Sequence, residues 1–502
     1  MFDAVLLAQA VEQLFTPLTL FLLVLGVVIG IVIGVLPGLG PPVALSLALP
    51  FTFSMDFVPS IVLLLAIYSA SIYGGSISAI VAKIPGTGAA VATAQDGNAM
   101  FRQGRGGEAL GLSLTGSVIG GLFSAVVLMI FAPLLAKLAA QFGPREYLAV
   151  CVFGLAVVVR VAGASLWKGL AMAGIGLWLT TWGIDPLSGG ERYTFGSYQF
   201  YSGIKLIPFL IGIFAVSEVF IGAERALTKI DFDASSLKIQ IPGAKRLNAL
   251  KWKILRSSVV GTIIGIIPGE GAAVAAYYAY AEEKRRSDDP ESFGKGNPDG
   301  VLAPETANNA TVGGALLPTM TLGVPGTPAA AILLGAFAIN NLTPGPKLFE
   351  ERGDIMYAIY IGLFLINIVM MVVGYFAIRF AAQIIRVPQT IVLPVVLLLS
   401  ICGIFATFNS LFAVATMLAA GVFGYVIRKL GFSVAPLVIG FVLGVIFEDG
   451  FRQSITTSQG SILEFFNTPI GLVIYAILLI TLFGEPVWKF FSTRMGRKTD
   501  ER

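Results

Sequence analysis

"GVLPGLGPPV" (residues 34–43) and "GIIPGEGAAV" (residues 265–274) each stand at the end of a long apolar run. Both would break the helix that carries them. Proline removes a backbone donor and clashes with the preceding turn, and glycine opens left-handed backbone, so each phrase ends one helix and begins another. Working outward, "GIVIGVLPGLGPPVA" (30–44) aligns without gaps to "GTIIGIIPGEGAAVA" (261–275). A second pair follows in the same order, "YGGSISAIVAKIPGTGAA" (73–90) and "VGGALLPTMTLGVPGTPAA" (312–330), with one residue of slippage. Two different motifs recurring in order mark an internal repeat, although Gly and Pro are common in membrane helices.

The surroundings of the motifs are membrane-like. Of 502 residues 56% are hydrophobic and 12% charged, and the mean hydropathy is +0.85; soluble proteins carry about 25% charge. Residues 13–55, 306–346 and 387–427 contain no Asp, Glu, Lys or Arg. A span needs about 20 apolar residues, which predicts roughly ten to twelve transmembrane helices in an all-α polytopic membrane protein. A barrel would show short alternating segments instead. The first apolar stretch lacks a basic n-region and a small-residue cleavage site, so it reads as the first span and not as a removable signal. Cys151 and Cys402 lie in apolar segments and read as packing residues. Histidine is absent, which argues against a His relay, haem or zinc. The formal net charge of +4 carries no nucleic-acid signal.

Charge sets the organisation. The Lys- and Arg-rich interval 222–253 reads as a cytoplasmic linker between a first repeat with its following spans (1–221) and a second (254–488). The basic tail 489–502 reads as cytoplasmic, whereas residues 1–16, without Lys or Arg, and the stretch 183–203 read as periplasmic. The helix entering the first motif therefore starts outside and the helix entering the second starts inside. Inverted repeats with Gly- and Pro-interrupted segments at matching positions point to the binding site of a secondary transporter.

The sign of the broken ends predicts the ligands. A half-helix N-terminus carries free N–H groups and favours an anion, while free carbonyls suit a small cation, so a carboxylate with sodium fits both. The candidate substrate-binding residues are Gly38, Gly40, Ser76, Ser78, Gly86, Thr87, Gly269, Gly271, Asn308, Asn309, Gly326 and Thr327. Ser76, Thr87, Asn308 and Thr327 are the candidate cation ligands, since neutral oxygens suit hard cations. Each has a plainer role open to it as a helix–helix bond. Lys83 either pairs with the anion or snorkels to the interface. Glu270, where the first motif has Leu39, either adds charge to a cation site or lies in the vestibule. Glu270 and Glu305 are the carboxylates that would carry a proton if burial raised their pKa.

"GVLPGLGPPVALSLALPFTF", "YGGSISAIVAKIPGTGAAVATAQDGNAM" and "PETANNATVGGALLPTMTLGVPGTPAAAILLGA" resemble the large membrane subunit of the tripartite tricarboxylate transporters, over nearly the whole chain. The resemblance implies a bacterial inner-membrane permease, not an enzyme. It further implies a periplasmic solute-binding protein, a small membrane subunit of about four helices, and cation-driven uptake of an organic acid such as citrate. No cofactor is implied beyond the coupling ion, Na+ or H+. The competing readings are a stand-alone sodium-coupled carboxylate transporter and, behind it, an anion channel.

Overall fold

The computed structural model describes residues 3–161, 165–224, 239–269 and 271–481. In chain order the helices of the first half are α1 (Ala4–Leu14), α2 (Pro17–Val35), α3 (Pro41–Ala48), α4 (Phe57–Ala82), α5 (Ala90–Met100), α6 (Gly106–Ala139), α7 (Pro144–Val161), α8 (Leu166–Thr180), α9 (Leu206–Ile211) and α10 (Ser217–Glu224). The second half adds α11 (Ala244–Ile266), α12 (Gly271–Arg286), α13 (Asp299–Leu322), α14 (Pro328–Ile339), α15 (Pro346–Glu351), α16 (Gly353–Ile385), α17 (Gln389–Phe408), α18 (Leu411–Lys429) and α19 (Val434–Thr457). Two-residue strands at Gly183–Ile184 and Glu191–Arg192 pair antiparallel. The protein is an all-α polytopic membrane protein.

Among the described residues eight helices are long and apolar enough to cross a membrane. That is fewer than the length of the apolar runs suggests. Two of the apolar helices outside this set, Pro41–Thr52 and Pro328–Ile339, begin at the broken phrases and are too short to span, while α11 and α13 are long but more polar. Both free cysteines are unpaired, Cys151 buried and Cys402 exposed.

The described residues form two compact units, one from the ranges 3–140 and 205–430, the other from 141–204 and 431–481. The larger unit contains all four broken phrases. In it α2 packs on α4 and α11 on α13, while α6 lies along α13. Small residues permit the close approach that holds membrane helices together where apolar burial drives nothing. A β-carbon on Gly30 would sit 2.7 Å from the Ile67 carbonyl oxygen, and one on Gly261 would sit 2.2 Å from that of Ala307. Almost every residue of α4 and α13 is buried, the polar side chains Glu305, Asn308 and Asn309 of α13 included. The half-helices then cross-pack, α5 on α12 and α3 on α14, so each repeat covers part of the other. Between α5 and α6 the chain bends at Gly104, whose φ is 79°.

The smaller unit is built on α8 against α19 and α7. Gly176 and Gly440 again bring backbones together; a β-carbon there would lie 2.2 Å from the Leu437 carbonyl oxygen and 2.5 Å from that of Ala173. Its polar loop is tied down by charge. Arg452 donates to both Asp185 oxygens at 2.9 and 3.0 Å, and Arg192 reaches Glu448. The Ser188 hydroxyl, the Leu187 N–H and Arg452 hold the Asp185 carboxyl well below the usual carboxylate range.

Candidate functional site

The four breaks are built as two matched pairs. At the first motif α2 stops at Leu36 (φ −74°, ψ 123°), whose N–H donates to Ile33, and Gly38 takes φ 85°. At its counterpart α11 stops at Ile267 (φ −78°, ψ 121°), whose N–H donates to Ile264, and Gly269 takes φ 141°. Only glycine occupies such backbone without strain, which is why each phrase carries one there. Gly40 and Gly271 then open α3 and α12. Glu270 lies outside the described residues.

The second pair is as closely matched. Lys83 closes α4 in the left-handed region (φ 59°), and Gly323 closes α13 in the same way (φ 70°). The Lys83 N–H donates to Ala79 at 3.1 Å and the Gly323 N–H to Thr319 at 3.2 Å, the left-handed C-cap that satisfies a terminal carbonyl. Four residues on, Thr87 Oγ1 accepts from the Ala90 N–H at 3.2 Å and Thr327 Oγ1 from the Ala330 N–H at 3.1 Å. Thr327 is the N-cap of α14, and Thr87, two residues before the N-cap Ala89 of α5, makes the same kind of bond to the first turn of its half-helix. Lys83 is exposed and has no ion pair among the described residues.

Packing between the breaks repeats as well. A β-carbon on Gly34 would meet the Ser71 carbonyl oxygen at 2.3 Å, and one on Gly265 would meet that of Thr311 at 2.7 Å. One on Gly74 would meet the Ile31 oxygen at 2.6 Å, and one on Gly314 the Thr262 oxygen at 2.4 Å. Gly86 faces the Gly34 oxygen (2.3 Å) and Gly75 Cα (2.7 Å); Gly326 faces the Gly265 oxygen (2.7 Å) and Ala315 Cα (2.8 Å). These partners pair Gly74 with Gly314 and Gly75 with Ala315. The second motifs therefore correspond without the one-residue slip that matching "YGG" to "VGG" suggests. Letter identity misled there because the position answering Gly75 needs a small residue, and alanine serves.

The breaks also touch one another. Gly40 approaches Gly86 and Thr87, the Gly269 N–H donates to the Gly326 carbonyl at 3.0 Å, and Gly88 faces Ala273 of α12. Thr327 is joined to the other repeat by the Tyr68 hydroxyl at 3.0 Å. Ser78 turns back on its own helix, donating to the Gly75 carbonyl at 3.1 Å.

Asn308 and Asn309 lie one turn beyond Glu305 on α13. They are 1% and 0% exposed, and none of their four amide atoms has a hydrogen-bond partner. Ser76 donates to Glu305 Oε1 at 2.6 Å. Glu305 also accepts from Thr93 of α5 and from Ser113 and Ser117 of α6, the last two at 3.0 and 3.2 Å on Oε2. Thr93, Ser113 and Ser117 are missed by a reading centred on the motifs. The available signal was the spacing of Ser113 and Ser117, which places both hydroxyls on one face of an apolar helix.

A second buried carboxylate, Asp96 of α5, was also not legible. Its Oδ1 accepts the backbone N–H groups of Gly294, Gly296 and Asn297 at 2.8, 2.8 and 2.7 Å, and its Oδ2 accepts the Tyr280 hydroxyl at 2.8 Å. The glycine-rich "FGKGNPDG" (293–300) supplies that nest of donors. Asp96 thus fastens the first repeat to the loop that leads into α13.

Comparison with known proteins gives the chain its relatives. Residues 20–439 match the family described as "Tripartite tricarboxylate transporter TctA family". The chain is 32% identical over 436 residues to an Agrobacterium vitis protein described as the 52.8 kDa protein in the TAR-I ttuC' 3'region, covering 86% of this chain and 85% of that one. A second Agrobacterium vitis protein, from the TAR-II ttuC' 3'region, is 30% identical over 220 residues, 44% of this chain and 91% of its own length. No solved structure matches the chain.

Proposed function

The chain belongs to the tripartite tricarboxylate transporter TctA family, and from that premise we propose that it is the permease subunit through which a tricarboxylate or related organic acid enters a bacterial cell. Uptake is driven by a cation gradient, sodium in preference to the proton. The protein lies in the inner membrane and works with a periplasmic solute-binding protein and a small four-helix membrane subunit. The observation that carries the reading is the paired construction of the four breaks. Irregular backbone at membrane depth is tolerated where protein buries it or where it lines a cavity or ligand site, and two matched sets of half-helix ends supply N–H groups for a carboxylate. Gly38, Gly40, Gly86, Gly269, Gly271 and Gly326 let backbone approach the substrate. Ser76, Ser78, Thr87, Asn308, Asn309 and Thr327 provide the polar side chains around it, with Ser76, Thr87, Asn308 and Thr327 nearest the ions.

Sodium is preferred because the site offers many neutral oxygens and no histidine. The test is uptake of labelled citrate and related acids into proteoliposomes holding the permease and its small subunit, with the binding protein added. At fixed pH, replacing sodium by choline should abolish accumulation. Uptake that persists without sodium and follows a pH gradient alone would reverse the assignment.

The two repeats cross the membrane in opposite directions in this reading, with the N-terminus periplasmic and the C-terminus cytoplasmic. Single cysteines placed at Asp3 and Gln240 in a background lacking Cys151 and Cys402 should label from opposite faces. Labelling of both from one face would remove the inverted arrangement.

A further inference from the structure

We propose that Glu305 is the anionic centre of a monovalent-cation site, formed with the hydroxyls of Ser76, Thr93, Ser113 and Ser117 and completed by the amide oxygens of Asn308 and Asn309. The proposal rests on the cation-coupled reading above and gives the ion a specific charged partner.

Glu305 is 0% exposed, and no basic side chain pairs with it among the described residues. A carboxylate out of water costs several kcal/mol unless a charge and hydrogen bonds compensate it. Here only neutral hydroxyls do so, from three other helices: Ser76 on α4, Thr93 on α5, and Ser113 with Ser117 on α6. A purely structural clasp would leave its neighbourhood satisfied. Instead Asn308 and Asn309, neighbours of Glu305 across one helical turn, leave all four amide atoms unpaired while buried. The Tyr73 hydroxyl, one turn before Ser76 on α4, is buried without a partner too. Unpaired groups of this kind cost about 1–3 kcal/mol each and call for a bound species.

The chemistry of that species follows from the donors. Every candidate ligand is oxygen, which suits a hard cation. The site holds one negative charge, and a monovalent cation neutralises it where a divalent one would leave a buried positive charge. Hydroxyls that donate to the carboxylate keep lone pairs for the ion. The site is also single. By the correspondence of Ile67 with Ala307 and Ser71 with Thr311, the first repeat carries buried Leu65 where the second carries Glu305.

The experiment compares wild type with Glu305→Gln and Ser117→Ala. The first measurement is thermal unfolding of the purified chain in detergent, titrated with sodium chloride against choline chloride. A cation bound to the folded state raises the midpoint. Sodium should stabilise the wild type above choline, and Glu305→Gln should lose that sodium-specific rise while still unfolding cooperatively. Ser117→Ala, which keeps the charge, should raise the half-saturating sodium concentration by about 2- to 10-fold. The second measurement is sodium-driven uptake by the assembled transporter, which Glu305→Gln should lose.

A wild type that gains nothing from sodium overturns the site, as does a Glu305→Gln variant with an undiminished sodium shift. Wild-type uptake that needs sodium and survives in Glu305→Gln overturns this inference and leaves cation coupling standing. Uptake that ignores sodium overturns the coupling reading, and a sodium shift that still depends on Glu305 would then support the site alone. Loss of pH-driven uptake in Glu305→Gln with no sodium shift would make the group a proton carrier and overturn the cation site.

Discussion

Replacing Gly86 or Gly326 by valine abolishes uptake and lowers the unfolding temperature of the purified permease. The cause is backbone, which cannot move aside as a side chain would. The first added carbon at Gly86 falls 2.3 Å from the Gly34 carbonyl oxygen and 2.7 Å from Gly75 Cα; at Gly326 it falls 2.7 Å from the Gly265 oxygen and 2.8 Å from Ala315 Cα. Relief requires α2 to part from the break after α4, or α11 from the break after α13. Overpacking of this kind costs about 1–3 kcal/mol even where side chains can adjust, and valine should exceed alanine. Gly88, two residues after Gly86, supplies the control, because its β-carbon would meet only Ala273 Cβ at 3.7 Å. Thermal unfolding in detergent should therefore rank Gly88→Ala near wild type, Gly86→Ala below it and Gly86→Val lowest. Equal midpoints for Gly86→Val and wild type would show that the contact carries no load.

Asp96→Ala is the second large effect. It removes the acceptor of three backbone N–H groups and of the Tyr280 hydroxyl at once. Leaving a buried donor unpaired costs about 1–3 kcal/mol, which applies to the buried Gly296 N–H and Tyr280 hydroxyl, while the Gly294 and Asn297 N–H groups can turn to water, so the total should be about 3–5 kcal/mol. Asp96→Asn keeps one acceptor oxygen and turns its amide toward a hydroxyl able to accept, so it should lose only part of this, because charge-assisted bonds are roughly twice as strong as neutral ones. Gly300→Ala should resemble Asp96→Ala, since its β-carbon would lie 2.1 Å from Asp96 Oδ2. Thermal unfolding, with protease sensitivity of the 287–298 segment as a second readout, checks the ranking. A loop as resistant in Asp96→Ala as in wild type would contradict it.

Such contacts separate what was legible in the sequence from what was not. The all-helical membrane class followed from the apolar runs, because a backbone in hydrocarbon must satisfy its own hydrogen bonds whatever it packs against. The breaks at Leu36, Lys83, Ile267 and Gly323 followed from Gly and Pro, whose restrictions act within a residue or two. Thr87 and Thr327 were visible as residues, though the sequence could not say that their hydroxyls would serve their own half-helices.

Register and charge placement were settled elsewhere. The slip between the second motifs vanished only when Gly74 and Gly314 were seen to meet Ile31 and Thr262, contacts that no alignment of letters displays. The hydroxyls on Glu305 come from residues 188 to 229 positions away, and the donors on Asp96 from 184 to 201 away. Nothing local to Glu305 distinguishes a solvated carboxylate at the end of a mixed-charge loop from one sealed among four helices. By itself the sequence determined where the chain must break, because breaking is a property of single residues and their immediate neighbours. The tertiary structure alone decided which broken ends meet and which carboxylates they enclose, because burial and pairing depend on segments that only folding brings together.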